Sequence, residues 1–208
     1  MAQAGWFTKA LWLILAAALA ESLWVGRYPT AFIAVTTFGL TLVPMALARQ
    51  FELFIPRSFM AALTFFIVAT LFFGEVWDFY DRFWWWDILL HGGSAVGFGL
   101  IGFILVFLLF QGDRYAAPPW AMGLFAFCFA MTIGALWEVF EFAMDQGFGM
   151  NMQKSGLVDT MTDIIVDALG GLVGAGSGVL YLKGRARSGL PGMVAEFLER
   201  NRKRFRRR

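Results

Sequence analysis

The chain has 208 residues, of which 59% are hydrophobic and 15% charged, with a formal net charge of +2. Soluble domains sit nearer half apolar and a quarter charged, so an ordinary water-soluble globule is excluded and lipid is the expected solvent. A single cysteine, Cys128, excludes an intrachain disulfide framework.

Hydropathy divides the chain into six apolar segments, at residues 6–25, 29–48, 58–77, 84–110, 117–143 and 160–182. As helices rising about 1.5 Å per residue, such segments match a hydrocarbon layer about 30 Å thick. Alternating strand patterns are absent, and in lipid only helices or closed barrels satisfy their own backbone groups. The expected fold is an all-α membrane protein, a bundle of about six transmembrane helices. Pro29, Pro56, Pro118 and Pro119 stand at or near segment starts, where proline is tolerated.

The first segment contains "LWLILAAALAES", whose Ala18-Leu19-Ala20 resembles a signal-peptidase site. Cleavage there would leave five spans in the same orientation. With six spans both termini share a side. Lys9, Arg49, Arg57, Arg114 and the ten cations after residue 182 fall on that side, against Arg27, Arg82 and Lys154 on the other. The positive-inside rule therefore places both termini in the cytoplasm, as expected of a multi-pass membrane protein. The loops near 78–83 and 144–158 then face outward, and Trp84–Trp86 falls at the outer interface as an aromatic belt.

Segments four to six carry acids at the outer end. Asp87 and His91 are spaced i, i+4 in segment four. Glu138 and Glu141 are spaced i, i+3 in segment five, with Asp145 continuing their stripe. In "VDTMTDIIVDALGG", Asp159, Asp163 and Asp167 recur every fourth residue and share one face of segment six. His91, Glu138 and Asp167 each lie roughly 7–11 Å inside the outer boundary. An acid near the centre of a membrane helix costs about 2.5–3.5 kcal/mol on insertion scales. No lysine or arginine lies in these segments to offset that, so protons or a bound cation must supply the positive charge.

Carboxylates and one imidazole projecting inward from facing helices are how bundles build metal sites. Asp87, His91, Glu138, Glu141, Asp163 and Asp167 are the candidate ligands for a divalent ion. The donor set favours magnesium, manganese or calcium and admits zinc or iron. His91 and Asp167 are also the candidate catalytic residues, His91 as a base. Arg82 and Lys154, near the outer mouth, are candidates to hold a phosphate or other anion. Structural readings compete: Asp159 as a helix N-cap, Thr160-x-x-Asp163 as a capping box, and Asp145, Asp78 and Glu75 as solvated loop acids.

These residues suit a metal-dependent hydrolase acting on a lipid-linked or anionic substrate. A proton or divalent-cation transporter would need polar residues continuing toward the cytoplasm; Thr132 lies at mid-membrane, and the inner halves of segments four to six are otherwise mostly glycine and apolar residues. A non-catalytic scaffold or assembly factor is the third reading.

Beyond Asp167 the acidic stripe becomes Gly170, Gly174 and Gly178, flanked by Gly171 and Ser177, and segment four carries Gly93 and Gly97. Small residues at this spacing let helix backbones meet in lipid, within the chain or between two copies as a homo-oligomer. The tail, "GLPGMVAEFLERNRKRFRRR", reads as a basic amphipathic helix on the cytoplasmic leaflet, drawn to membrane lipids and especially anionic ones. The expected division is therefore a transmembrane bundle over 1–182 and a tail over 183–208. No nucleic-acid partner is expected, because no aromatic platform or binding motif accompanies the charge.

Over roughly residues 60–182, "DILLHGGSAVGFG", "WEVFEF" and "VDTMTDIIVDALGG" resemble the YjdF-like family of small bacterial inner-membrane proteins. The resemblance implies a polytopic membrane protein of unassigned activity. This chain departs from it in a longer glycine- and methionine-rich insert before Asp159, which bears on any role of that residue. The end of segment six is also faintly similar to VanZ-like membrane proteins.

Overall fold

A computed structural model describes residues 5–110, 117–184 and 188–205. The regular secondary structure of the described residues is all helical, without strands. The helices are α1 (Trp6–Val25), α2 (Tyr28–Gln50), α3 (Arg57–Ile67), α4 (Phe79–Arg82), α5 (Trp86–Phe110), α6 (Pro119–Phe148), α7 (Leu157–Leu182) and α8 (Gly189–Phe205). A π-helical stretch, Val68–Val76, continues α3. Six of these spans are long and apolar enough to cross a membrane, as the hydropathy predicts.

The largest boundary difference lies between α6 and α7, where the loop shrinks to residues 149–156. Gly149 (φ +66°) ends α6 and Gly156 (φ +60°) precedes α7, two left-handed positions that glycine adopts cheaply. The Asp145 carboxylate accepts the backbone N–H groups of Met152 (2.7 Å) and Gln153 (2.9 Å). Asp145 is thus not a solvated loop acid: it folds the loop back against the end of α6.

The chain forms two compact units. The first comprises α1 to α4 and α8 from Glu196 onward; the second runs from Asp87 to Ala195. In the first, α1 and α2 form a hairpin closed by Gly26 (φ +77°), whose N–H and that of Arg27 cap the carbonyls of Leu23 and Ser22. Leu11, Leu15, Ala34, Val68 and Phe72 make its core. Trp12 donates its indole N–H to Thr41 (2.8 Å), which satisfies a polar tip inside an apolar contact. A chain of aromatic contacts runs from the π-helical stretch: Phe73 stacks on Trp77, Trp77 meets Phe79 at a tilt, and Phe79 meets Trp86 edge to face. α8 puts Pro191, Val194, Leu198 and Asn201 on its buried face. Asn201 accepts from Phe54 N–H and donates to the carbonyls of Phe54 and Phe197, each at 2.8 Å.

The second unit is built by helices that approach to backbone contact. α5 and α7 run parallel: a Cβ on Gly170 would meet the Gly92 carbonyl and Ala95, one on Gly174 would meet Val96 and Gly99, and one on Gly178 would enter the Phe103 ring. α6 runs antiparallel to α7, with Gly123 at Val179, Ala130 at Gly171 and Gly134 at Asp167. The expected glycine stripe of α7 is therefore used, against α5 and α6 of the same chain. On α5 the face that meets α7 is Gly92, Ala95, Val96 and Gly99; among the described residues nothing lies within 4 Å of a Cβ on Gly93 or Gly97, so within the chain that pair is not the contact. Residues three apart share a face, but spacing alone does not say which face meets the neighbour.

Candidate metal centre

Parallel α5 and α7, with α6 antiparallel beside α7, bring the starts of two helices and the end of a third to one end of the second unit. His91 stands one turn into α5, and its ring nitrogens point two ways. Nδ1 lies 3.4 Å from both carboxylate oxygens of Asp167, while Nε2 lies 3.9 Å from Asp87 and 3.9 Å from Glu138. Ligand atoms of Asp87, His91 and Asp163 lie within 4.8 Å of one another. That is close to the span across one divalent ion with bonds of about 2.0–2.6 Å.

His91, Glu138, Glu141, Asp163 and Asp167 are all buried, none more than 7% exposed. Both carboxylate oxygens of Glu138 and Oδ1 of Asp167 have no hydrogen-bond partner among the described residues. Buried polar atoms normally find partners, and a bare carboxylate is the costliest exception. These oxygens need a cation or a proton, and the donor set fits a hard divalent ion with the imidazole as one ligand. His91 suits either role of a histidine beside a metal: one nitrogen as ligand, the other donating to a carboxylate that orients the ring.

Glu141 lies at the edge of the cluster, accepting from the Trp137 indole at 2.9 Å. It is within electrostatic reach of Glu138, Asp87 and His91. Asp159 is not the N-cap of α7. Gly156 holds that position without a side-chain cap, and Asp159 sits in the first turn, within electrostatic reach of Asp87 and Asp163. The competing capping-box reading does not hold either, since α7 has no side-chain cap. Asp163 faces the cluster, and the Thr160 hydroxyl accepts Gln153 Nε2 at 2.7 Å. Exposed Lys154 is within electrostatic reach of Asp87. Arg82 belongs to the first unit, where it pairs with Asp78 at 3.6 Å.

Two contributors escape a reading of charge alone. Gln153 ties the 149–156 loop to both flanking helices, through Thr160 and, at 3.5 Å, the Glu138 carbonyl. Gly134, one turn before Glu138, leaves the space that the Asp167 carboxylate fills: a Cβ there would lie against Asp167 Oδ2 and 2.9 Å from its Cγ. A glycine four residues before an intramembrane acid was the available signal. Replacing Gly134 with alanine is expected to displace Asp167 and weaken divalent-ion binding about tenfold or more, the scale of disturbed supporting shells. Isothermal titration of the detergent-solubilised variant measures this; unchanged affinity would remove Asp167 from the site.

A family model described as "Predicted membrane protein (DUF2238)" matches residues 8–184. An uncharacterized protein of Thermotoga maritima is 32% identical over 97 residues, which cover 47% of this chain and 49% of that protein. The matched region thus spans about half the length of that relative. No solved structure matches the chain.

Proposed function

The chain belongs to the DUF2238 family of predicted membrane proteins, and we propose that it binds a divalent metal ion between α5, α6 and α7. The observation that carries this reading is the set of buried oxygens on Glu138 and Asp167 without hydrogen-bond partners, gathered around His91. Asp87, His91 and Asp163 are the nearest set of ligands, with Glu138 and Asp167 completing the shell. The YjdF-like resemblance of these same segments is part of the proposal.

The charge bias of the chain supports a site at the external face, and the YjdF-like resemblance supports a bacterial inner membrane. On this reading the protein is a metal-dependent hydrolase whose substrate is lipid-linked or anionic. A bound divalent ion would supply Lewis acidity and an activated water. His91 would hold or accept a proton beside Asp167, and Lys154 would attract an anionic group toward Asp87. Exposed Phe148, Leu157 and Val158 border the loop and suit a substrate that arrives within the lipid. A transporter fits less well, because the α5–α7 contact beyond the cluster closes glycine against backbone at Gly170 and Gly174 and against the Phe103 ring at Gly178.

Metal analysis of protein purified in mild detergent tests the proposal. Stoichiometric magnesium, manganese, calcium, zinc or iron is expected after equilibration with the ion and desalting. A chain that retains none of these, under conditions where it remains folded, would end the metal reading and leave proton sharing as the means of neutralising the cluster.

A further inference from the structure

The first unit carries a second constructed site, independent of the acidic cluster. Where α2 stops at Gln50 and α3 begins at Arg57, the C-terminal part of α8 closes a cavity of about 630 Å³. Its lining includes Arg49, Glu52, Leu53, Phe54, Arg200 and Asn201. Asn201 is 3% exposed and spends its amide on the backbone of Phe54 and Phe197, so it fixes the wall and leaves recognition to its neighbours. The Arg200 guanidinium carbon lies over the Phe54 ring, 5.0 Å from its centroid, a cation–π contact at the cavity wall. Arg49 stands in the last turn of α2.

Two arginines lining one cavity supply the charge and the planar donors that phosphate recognition uses, with Glu52 on the same wall. Depth identifies the source of the phosphate. α2 and the Arg57–Val76 span are each long and apolar enough to cross the membrane, so the short link between them lies at headgroup level. We infer that this cavity binds the phosphate headgroup of an anionic membrane lipid. Of the α8 cations whose side chains are described, Arg200 lines the cavity, whereas Arg202 and Lys203 do not. The proposal therefore assigns recognition to Arg49 and Arg200, with α8 supplying one wall.

Native mass spectrometry of the full chain in detergent, with phosphatidylglycerol and phosphatidylcholine of the same acyl length, tests this. The parent should retain phosphatidylglycerol in preference. Two cations at about 1 kcal/mol each imply that Arg49→Gln/Arg200→Gln weakens the preference about tenfold or more. The charge-matched Arg202→Gln/Lys203→Gln variant should keep it. Equal loss in both variants would reduce the effect to diffuse tail charge and overturn the site. A further arm titrates lipid-free protein with inorganic phosphate. Weak or no binding supports the lipid headgroup, whereas binding as tight as that of phosphatidylglycerol would assign the cavity to a soluble anion. If the double variant unfolds, Arg200→Lys retains charge but loses the planar fork; partial loss of preference supports the site, and an unchanged preference overturns it.

Discussion

Replacing Glu138 with glutamine and Asp167 with asparagine together is expected to abolish stoichiometric metal binding and to leave stability indifferent to a chelator. Both acids are buried, and their free oxygens surround His91. In the parent, a divalent ion present at a hundred times its Kd would stabilise the native state by about 2.7 kcal/mol. For a chain of this size that corresponds to roughly 5–10 °C in unfolding temperature. The double variant removes two like charges from a crowded set while keeping the shape of both side chains. In chelator it should therefore unfold at a higher temperature than the parent, because the parent then holds its carboxylates with no cation among them. With the ion restored, the order should invert. Thermal scans of both proteins in the same detergent, with and without chelator, read this crossing. A parent indifferent to ion and chelator alike would contradict the proposal, and retention of metal by the variant would show that other residues hold it.

The helices were legible in the sequence because lipid imposes one simple demand, about twenty apolar residues per crossing, and each segment meets it. The shared depth of His91, Glu138 and Asp167 was legible for the same reason, since a known span converts residue number into depth. What each side chain touches was not. That His91 stands between Asp167 on one nitrogen and Asp87 and Glu138 on the other depends on the rotation of α5, and its glycines misdirect on this point. Gly93 and Gly97 have the expected spacing, yet Gly92 and Gly99 make the contact. Asp145 illustrates a second limit. An acid at a helix end reads equally well as solvated or as a loop anchor, and only the fold of the next eight residues decides. Asn201 illustrates a third. In a basic run it looks incidental, although it continues the Val194–Leu198 face and grips a backbone 147 residues away in sequence.

Gly174→Ala is expected to be the most disruptive single-methyl change in α7, and Gly176→Ala the matched control. A Cβ at Gly174 would overlap the Val96 carbonyl and lie 3.0 Å from Gly99 Cα and 3.1 Å from Leu100 N. All three are backbone atoms, so no side chain can turn aside and α5 must move as a whole. Overpacking of this kind costs about 1–3 kcal/mol. At Gly176 a Cβ meets nothing within 4 Å, so the same substitution should be neutral or mildly stabilising through helix propensity, by up to about 1 kcal/mol. The two variants share chemistry, helix and depth to within one turn, and the difference between them isolates the contact. The consequence reaches the acids. His91 is carried by α5 and Asp167 by α7, seven residues before Gly174, so parting these helices lengthens the 3.4 Å approach on which the cluster depends. Gly174→Ala should therefore lose metal affinity as well as stability, whereas Gly176→Ala keeps both. Calorimetric titration together with thermal unfolding of the pair measures the two effects. Loss of stability with metal affinity intact would mean that the ion is held by α6 and α7 without α5, and Asp87 and His91 would leave the ligand set.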